Sequence, residues 1–106
     1  MAEPLVRIKR LILARRYRFT DKATIEREND ELTEKDVLES IMNAQRIYKT
    51  INSTSSQKQT RREKLYVILS FTYDDVLIYS KGKIAQDPNG SDTFYVLVSS
   101  KRSVYN

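Results

Sequence analysis

Residues 61–83 read RREKLYVILSFTYDDVLIYSKGK, and the fold turns on how this stretch is placed. Leu65, Val67, Leu69 and Phe71 alternate with Tyr66, Ile68, Ser70 and Thr72, the period-2 pattern of a strand with one strongly apolar face. Tyr73-Asp74-Asp75 then forms a tight acidic turn, and the residues after it return as a second strand. A hairpin of this composition needs cover on its apolar face, and the upstream residues are the only material long enough to supply it.

That material reads as helices. Pro4 suits a first helical turn, and Leu5, Ile8, Leu11 and Ile12 recur on one face of a helix expected over residues 4–16. Arg15, Arg16 and Arg18 load its C-terminal end with positive charge, which suits the helix dipole before any phosphate need be invoked. Thr20 caps a short second helix from Asp21 to about Asn29, and Asn29-Asp30-Glu31 reads as a break. Thr33, with Glu34 and Asp36 behind it, opens a third helix whose stripe is Val37, Leu38, Ile41 and Ala44.

Downstream, Arg46 to Ile51 is β-branched and aromatic and reads as a strand. Asn52 to Thr60 contains no apolar residue and reads as a loop that ends in Arg61-Arg62. After the hairpin, Asp87-Pro88-Asn89-Gly90 is a turn signal, and Thr93 to Ser100 alternates as a last strand. The sequence therefore predicts a single α+β domain over residues 1–106. Helices over about 4–45 would pack on one face of an antiparallel sheet of about four strands, over about 46–101.

Composition narrows the chemistry. The chain has 106 residues, 40% hydrophobic and 31% charged, with no Cys and no His. Disulfides, thiolate chemistry, the usual Cys/His zinc sites and histidine-based nucleophilic mechanisms are thereby excluded. No apolar run approaches the ~20 residues of a membrane span. The first residues lack a signal-peptide core, so a cytoplasmic protein is expected. Nineteen Lys and Arg and seven Tyr are the available tools.

The net charge of +5 is segregated. Residues 1–18 carry +5, residues 19–45 carry −5, residues 46–64 carry +5 and the remainder is neutral. Such a distribution implies a basic surface for a polyanion and an acidic helical surface elsewhere. With Leu65, Val67, Leu69, Phe71, Val76, Ile78, Phe94, Val96 and Val98 assigned to the helix side, alternation leaves Tyr66, Tyr79, Lys81, Tyr95 and Lys101 on the open face. Phenols to stack bases and cations to neutralise phosphate suit single-stranded RNA. The competing structural reading is that Tyr is simply a common strand residue. Gly82 and Gly90 are the only glycines, too few for a phosphate loop. Asp74-Asp75 and Glu26-Glu28-Asp30-Glu31 read as a solvated turn and a helix surface, so no metal site is expected.

Several short stretches resemble the bacterial MqsR-type messenger-RNA-cleaving toxins and a related group of small domains. They are Phe19-Thr20, Thr33-Glu34-Lys35-Asp36-Val37, Ile47-Tyr48-Lys49-Thr50, Leu65-Tyr66-Val67 and Asp75-Val76-Leu77-Ile78, within residues 5–83. The resemblance implies a RelE/ParE-like fold and a metal-free endoribonuclease without cofactor. It also implies an antitoxin protein that covers the active face, and use of the ribosome as a scaffold. By position it assigns catalytic roles to Lys49, Tyr66 and Lys81, with Lys101 as a rival to Lys81 because of the added last strand. Gln57 or Gln59 would supply a loop glutamine, and Arg61 and Arg62 would guide the phosphate backbone. RNA contact by Tyr79, Tyr95 and Lys101 completes the expected site. The alternative is a non-catalytic RNA- or protein-binding module of the same fold.

Overall fold

The computed structural model describes residues 3–54 and 62–103. Gln57, Gln59 and Arg61 lie outside the described residues. Three helices pack on one face of a five-stranded mixed sheet. In chain order the elements are α1 (Pro4–Leu13), β1 (Tyr17–Phe19), α2 (Asp21–Asn29), α3 (Glu34–Asn43), β2 (Lys49–Thr54), β3 (Arg62–Phe71), β4 (Leu77–Gln86) and β5 (Asp92–Arg102). The sheet order is β1-β5-β4-β3-β2, with β1 parallel to β5 and the other pairs antiparallel.

The helix side is built as the patterns foretold. Leu5, Ile8, Leu11 and Ile12 of α1 are buried, and Val37 and Ile41 of α3 are fully so. A capping box fixes the start of α3: Asp36 N–H donates to the Thr33 hydroxyl at 3.1 Å, and Thr33 N–H donates to the Asp36 carboxylate at 2.9 Å. Helix α2 has only Ala23 fully buried and is held by polar contacts instead. The Ser99 hydroxyl and the Ser100 N–H both donate to Glu26, at 2.7 and 3.1 Å, and the Ser100 hydroxyl donates to the Ala23 carbonyl at 2.9 Å.

Helix α1 stops three residues before its expected end. Arg15 adopts a left-handed conformation, with φ of 62°. Arg15 N–H donates to the Ile12 carbonyl and Arg16 N–H to the Leu11 carbonyl, the two bonds of a Schellman ending. The chain then turns out into β1, which adds a fifth strand to the expected four. Strand β2 runs three residues further along the chain than expected, because Asn52 to Thr54 continue the ladder opposite Lys64 to Arg62.

The largest correction concerns which face of the sheet the helices cover. The core holds Tyr66, Ile68, Ile78, Tyr95 and Leu97 from the sheet, so the face carrying Leu65, Val67, Leu69 and Phe71 is the uncovered one. The helices lie over the side with the smaller residues: Ser70, Ser80, Gly82 and Ser100 are all buried. Small side chains admit a helix closely, whereas bulky ones hold it off. Val76, half-buried and packed against the core, and Ile78 are on the covered side as expected. Val96 instead pairs with Lys83, and Phe94 with Ala85.

A register shift on β5 explains why Tyr95 and Lys101 part company. Lys81 pairs with Ser99 but Gly82 pairs with Leu97, so Val98 is an extra residue. Such a bulge reverses the parity of the strand beyond it. Tyr95 and Leu97 face the helices before the bulge, and Ser100 faces them after it. Lys101, opposite Tyr79, therefore emerges on the uncovered side.

Candidate functional site

The uncovered sheet face can be assembled row by row from the register. Lys49 on β2, Val67 on β3 and Lys81 on β4 form one row, while Ser99 of β5, opposite Lys81 in the register, is buried and donates its hydroxyl to Glu26 of α2. The next row holds Leu69, Tyr79 and Lys101, and the one beyond it Phe71 and Leu77. On the other side come Ile51 with Leu65, and then Lys83, Val96 and Arg18. Val67 retains no exposed surface although no helix covers it. Its register neighbours Lys49 and Lys81 flank it, and the (CH₂)₄ stem of a lysine can lie along apolar surface with its ammonium in water.

Two cation–π pairs mark opposite ends of this face. The Lys101 ammonium lies 5.4 Å from the Tyr79 ring centroid, and the Arg18 guanidinium lies 4.9 Å from that of Phe94. Lys83 pairs with Glu63 at 3.0 Å, and Glu63 is the one carboxylate that the described strands place on this side. Lys49, Lys81, Lys101 and Arg18 form no ion pair with another described residue.

Some of the cations elsewhere have structural partners, though Arg10, Arg15, Arg16, Lys35, Arg46 and Lys64 form no ion pair with another described residue. Arg7 forms a bidentate pair with Asp92, both bonds at 2.9 Å, and thereby clamps α1 to β5. That pair holds the Asp92 carboxyl at about 2, well below its ordinary value, against the opposing effect of burial. Lys9 donates to the Ala44 carbonyl at 2.6 Å. Arg27 donates to the Leu32 carbonyl and lies 5.1 Å from the Phe19 ring centroid. Burial opposes ionisation of Glu26, but hydrogen bonds from Ser99, Lys22 and Ser100 outweigh it and lower the pKa.

The expected residues thus divide. Lys49, Tyr79, Lys81 and Lys101 come together on the uncovered face. Tyr66 and Tyr95, expected beside them, are buried on the helix side at 7% and 0% exposure. Burial pushes the Tyr95 phenol far up, and its hydroxyl has no hydrogen-bond partner among the described residues. Arg62 opens β3 opposite Thr54. Arg18, Lys83 and Phe94 belong to the same face and went unrecognised in the sequence. Register alone would have found Lys83, two residues from Lys81 on one strand. Arg18 required knowing that α1 ends at a left-handed arginine. A shallow cleft of about 510 Å³ adjoins the face where Leu69, Phe71 and Tyr73 meet Asn43, Gln45 and Arg46 at the end of α3.

Compared with family models, with curated proteins and with solved structures, the chain finds no match in any of the three.

Proposed function

We propose that the protein binds single-stranded RNA on the uncovered face of its sheet and cuts it there without metal, as a cytoplasmic toxin of the MqsR/RelE-like kind. The observation that carries the binding is the sidedness of charge: among the described residues, four cations without ion-pair partners and two ring–cation pairs share one sheet face with a single carboxylate. A flexible strand of phosphates and bases meets both needs of such a surface. The motif resemblance in the strands supports the cleavage and a RelE/ParE-like placement of the fold, with an antitoxin and the ribosome as partners.

Lys49 and Lys81 stand two strand spacings apart, about 9.5 Å, with the small Val67 between them. Two lysine stems of that separation can bring both ammoniums to one phosphate. In the reaction the RNA 2′-hydroxyl gives its proton to water and its oxygen bonds to phosphorus as the bond to the 5′-oxygen breaks. The 5′-oxygen takes a proton from a phenol that water reprotonates, leaving a cyclic phosphate and a free 5′-hydroxyl. The lysines neutralise the charge that develops on the phosphate oxygens. Tyr79, next along β4 on the same face, is the phenol in reach of the leaving oxygen, the part that the resemblance gave to Tyr66.

The second reading, a non-catalytic binding module, is favoured by one observation: Tyr66 is in the core. One experiment separates the two. Wild type and Lys49→Gln/Lys81→Gln are titrated with labelled single-stranded RNA at several salt concentrations, and the RNA is then examined for cyclic-phosphate products. The variant should lower the salt slope of log K by ~1.4, at ~0.7 per cation removed. Cyclic-phosphate products from wild type but not from the variant support the nuclease. Salt-dependent binding with intact RNA leaves the RNA-binding module, and no salt-dependent binding rejects both RNA readings and leaves a protein-binding module.

A further inference from the structure

The uncovered face has a direction. Alternate residues of β4 on that side are Tyr79, Lys81, Lys83 and Ala85, and Ala85 pairs with Phe94, whose ring carries the Arg18 guanidinium. We propose that the Arg18–Phe94 pair stacks an RNA base at one end of a track along β4, and that the Tyr79–Lys101 pair stacks another at its opposite end. The proposal rests on the reading that this face binds single-stranded RNA.

Several observations carry it. Arg18 is exposed on the edge strand β1, while Phe94 is half-buried behind it. A planar cation held against a ring keeps its far side for solvent, and guanidinium planes accept stacked bases as aromatic rings do. No carboxylate among the described residues pairs with Arg18, so no ion pair takes up its charge. Arg7 and Arg27, by contrast, are committed to Asp92 and to the Leu32 carbonyl.

The spacing then sets the length of the ligand. From Tyr79 to Ala85 is six residues of extended chain, about 20 Å. Lys81 and Lys83 stand between the two stations at steps of about 6.6 Å, one cation for each step of an extended polynucleotide. Glu63 offsets Lys83, but the exposed pair they form is weak enough for a phosphate to compete. About four nucleotides fill such a track, the lower end of known single-strand site sizes. The surface offers planes and charges but few directed hydrogen-bond donors, so it reads length and strandedness rather than sequence.

The test is fluorescence anisotropy with labelled oligouridylates of two, four and eight nucleotides, at low salt, on wild type, Arg18→Lys and Phe94→Leu. Arg18→Lys keeps the charge and removes the plane. Wild-type affinity should rise steeply from two to four nucleotides and little thereafter. Arg18→Lys should weaken the tetramer by about 5- to 10-fold, the low end of stacking on one base, and leave the dimer within two-fold. Phe94→Leu should do the same, with unchanged melting of Arg18→Lys as the folding control. If wild type binds RNA and both variants match it at every length, the track is wrong while the RNA-binding face stands. If Arg18→Lys weakens the dimer as much as the tetramer, the station at the end of the track is likewise overturned. If wild type binds none of the oligonucleotides, the face serves something other than RNA and both readings fall.

Discussion

Gly82 and Tyr95 show how much of this fold is decided by single side chains. A Cβ on Gly82 would stand 2.5 Å from the Tyr95 Cζ and 2.8 Å from the Val96 carbonyl oxygen. The lack of a side chain at Gly82 leaves the room in which the Tyr95 ring, the largest fully buried side chain, lies. Gly82→Ala should lower stability by about 1–3 kcal/mol through overpacking, read from urea midpoints. Tyr95→Phe should behave in the opposite way. Its hydroxyl is buried without a partner among the described residues, so removing it should be neutral or stabilising by up to about 1 kcal/mol. A clear loss on Tyr95→Phe would mean that the hydroxyl has a partner after all. Neither outcome could be foreseen from an alternation that put Tyr95 in solvent.

Among the elements, α1 is the one whose ends matter most. Its C-terminus depends on Arg15 in a left-handed conformation, which costs a non-glycine residue about 1–2 kcal/mol. Arg15→Gly should therefore raise stability by about 1 kcal/mol in thermal or denaturant unfolding, and leave β1 paired with β5. The other anchor of α1 is the Arg7–Asp92 pair. The Asp92 carboxyl lies at about 2 in the fold, against 3.8 for a free aspartate. A depressed carboxyl stabilises the fold above its unfolded pKa, and the benefit is lost as pH falls through the folded value. Asp92→Asn should thus cost about 1–2 kcal/mol at pH 7. The gap from wild type should close between about pH 4 and pH 2, and a gap independent of pH would assign the effect to packing instead.

Elements whose signal is local were legible: the Thr33 cap of α3, the α1 stripe, the Asp87–Gly90 turn and the existence of the hairpin. What was not legible depends on comparing distant parts. Strand β1 is only three residues long and is held from outside, through Tyr95 N–H to the Arg16 carbonyl and Thr20 N–H to the Leu97 carbonyl. The covered face was misread because both faces of β3 are apolar enough to be a core. Ser70, Ser80 and Ser100 decide the matter by their size rather than their hydrophobicity. Lys49, Lys81, Tyr79 and Lys101 nevertheless belong together, since the error in the face and the parity change at Val98 affect them differently from Tyr66 and Tyr95.

At the scale of the whole molecule the decisive feature is that the described residues leave a sheet face rich in leucine and valine without a second layer. Such a face would ordinarily invite self-association. Here Val67 has no exposed surface, and like charge on its register neighbours Lys49 and Lys81 would oppose the approach of a second copy. The cations of this face are thus set apart from the acids of residues 19–45, which lie mainly on the helical layer. The two effects of each lysine can be separated. Lys49→Gln/Lys81→Gln keeps much of the stem and removes the charge, whereas Lys49→Ala/Lys81→Ala also uncovers Val67. At 0.1 M salt, where charges act over about 10 Å, wild type should sediment as one small species. The alanine variant should shift toward a larger species as its concentration rises, and the glutamine variant should shift less. Equal behaviour of all three in analytical ultracentrifugation would mean that the lysines do not guard this face. If the order holds, loss of RNA binding in the glutamine variant reports charge, and the alanine variant cannot be used to argue for the site.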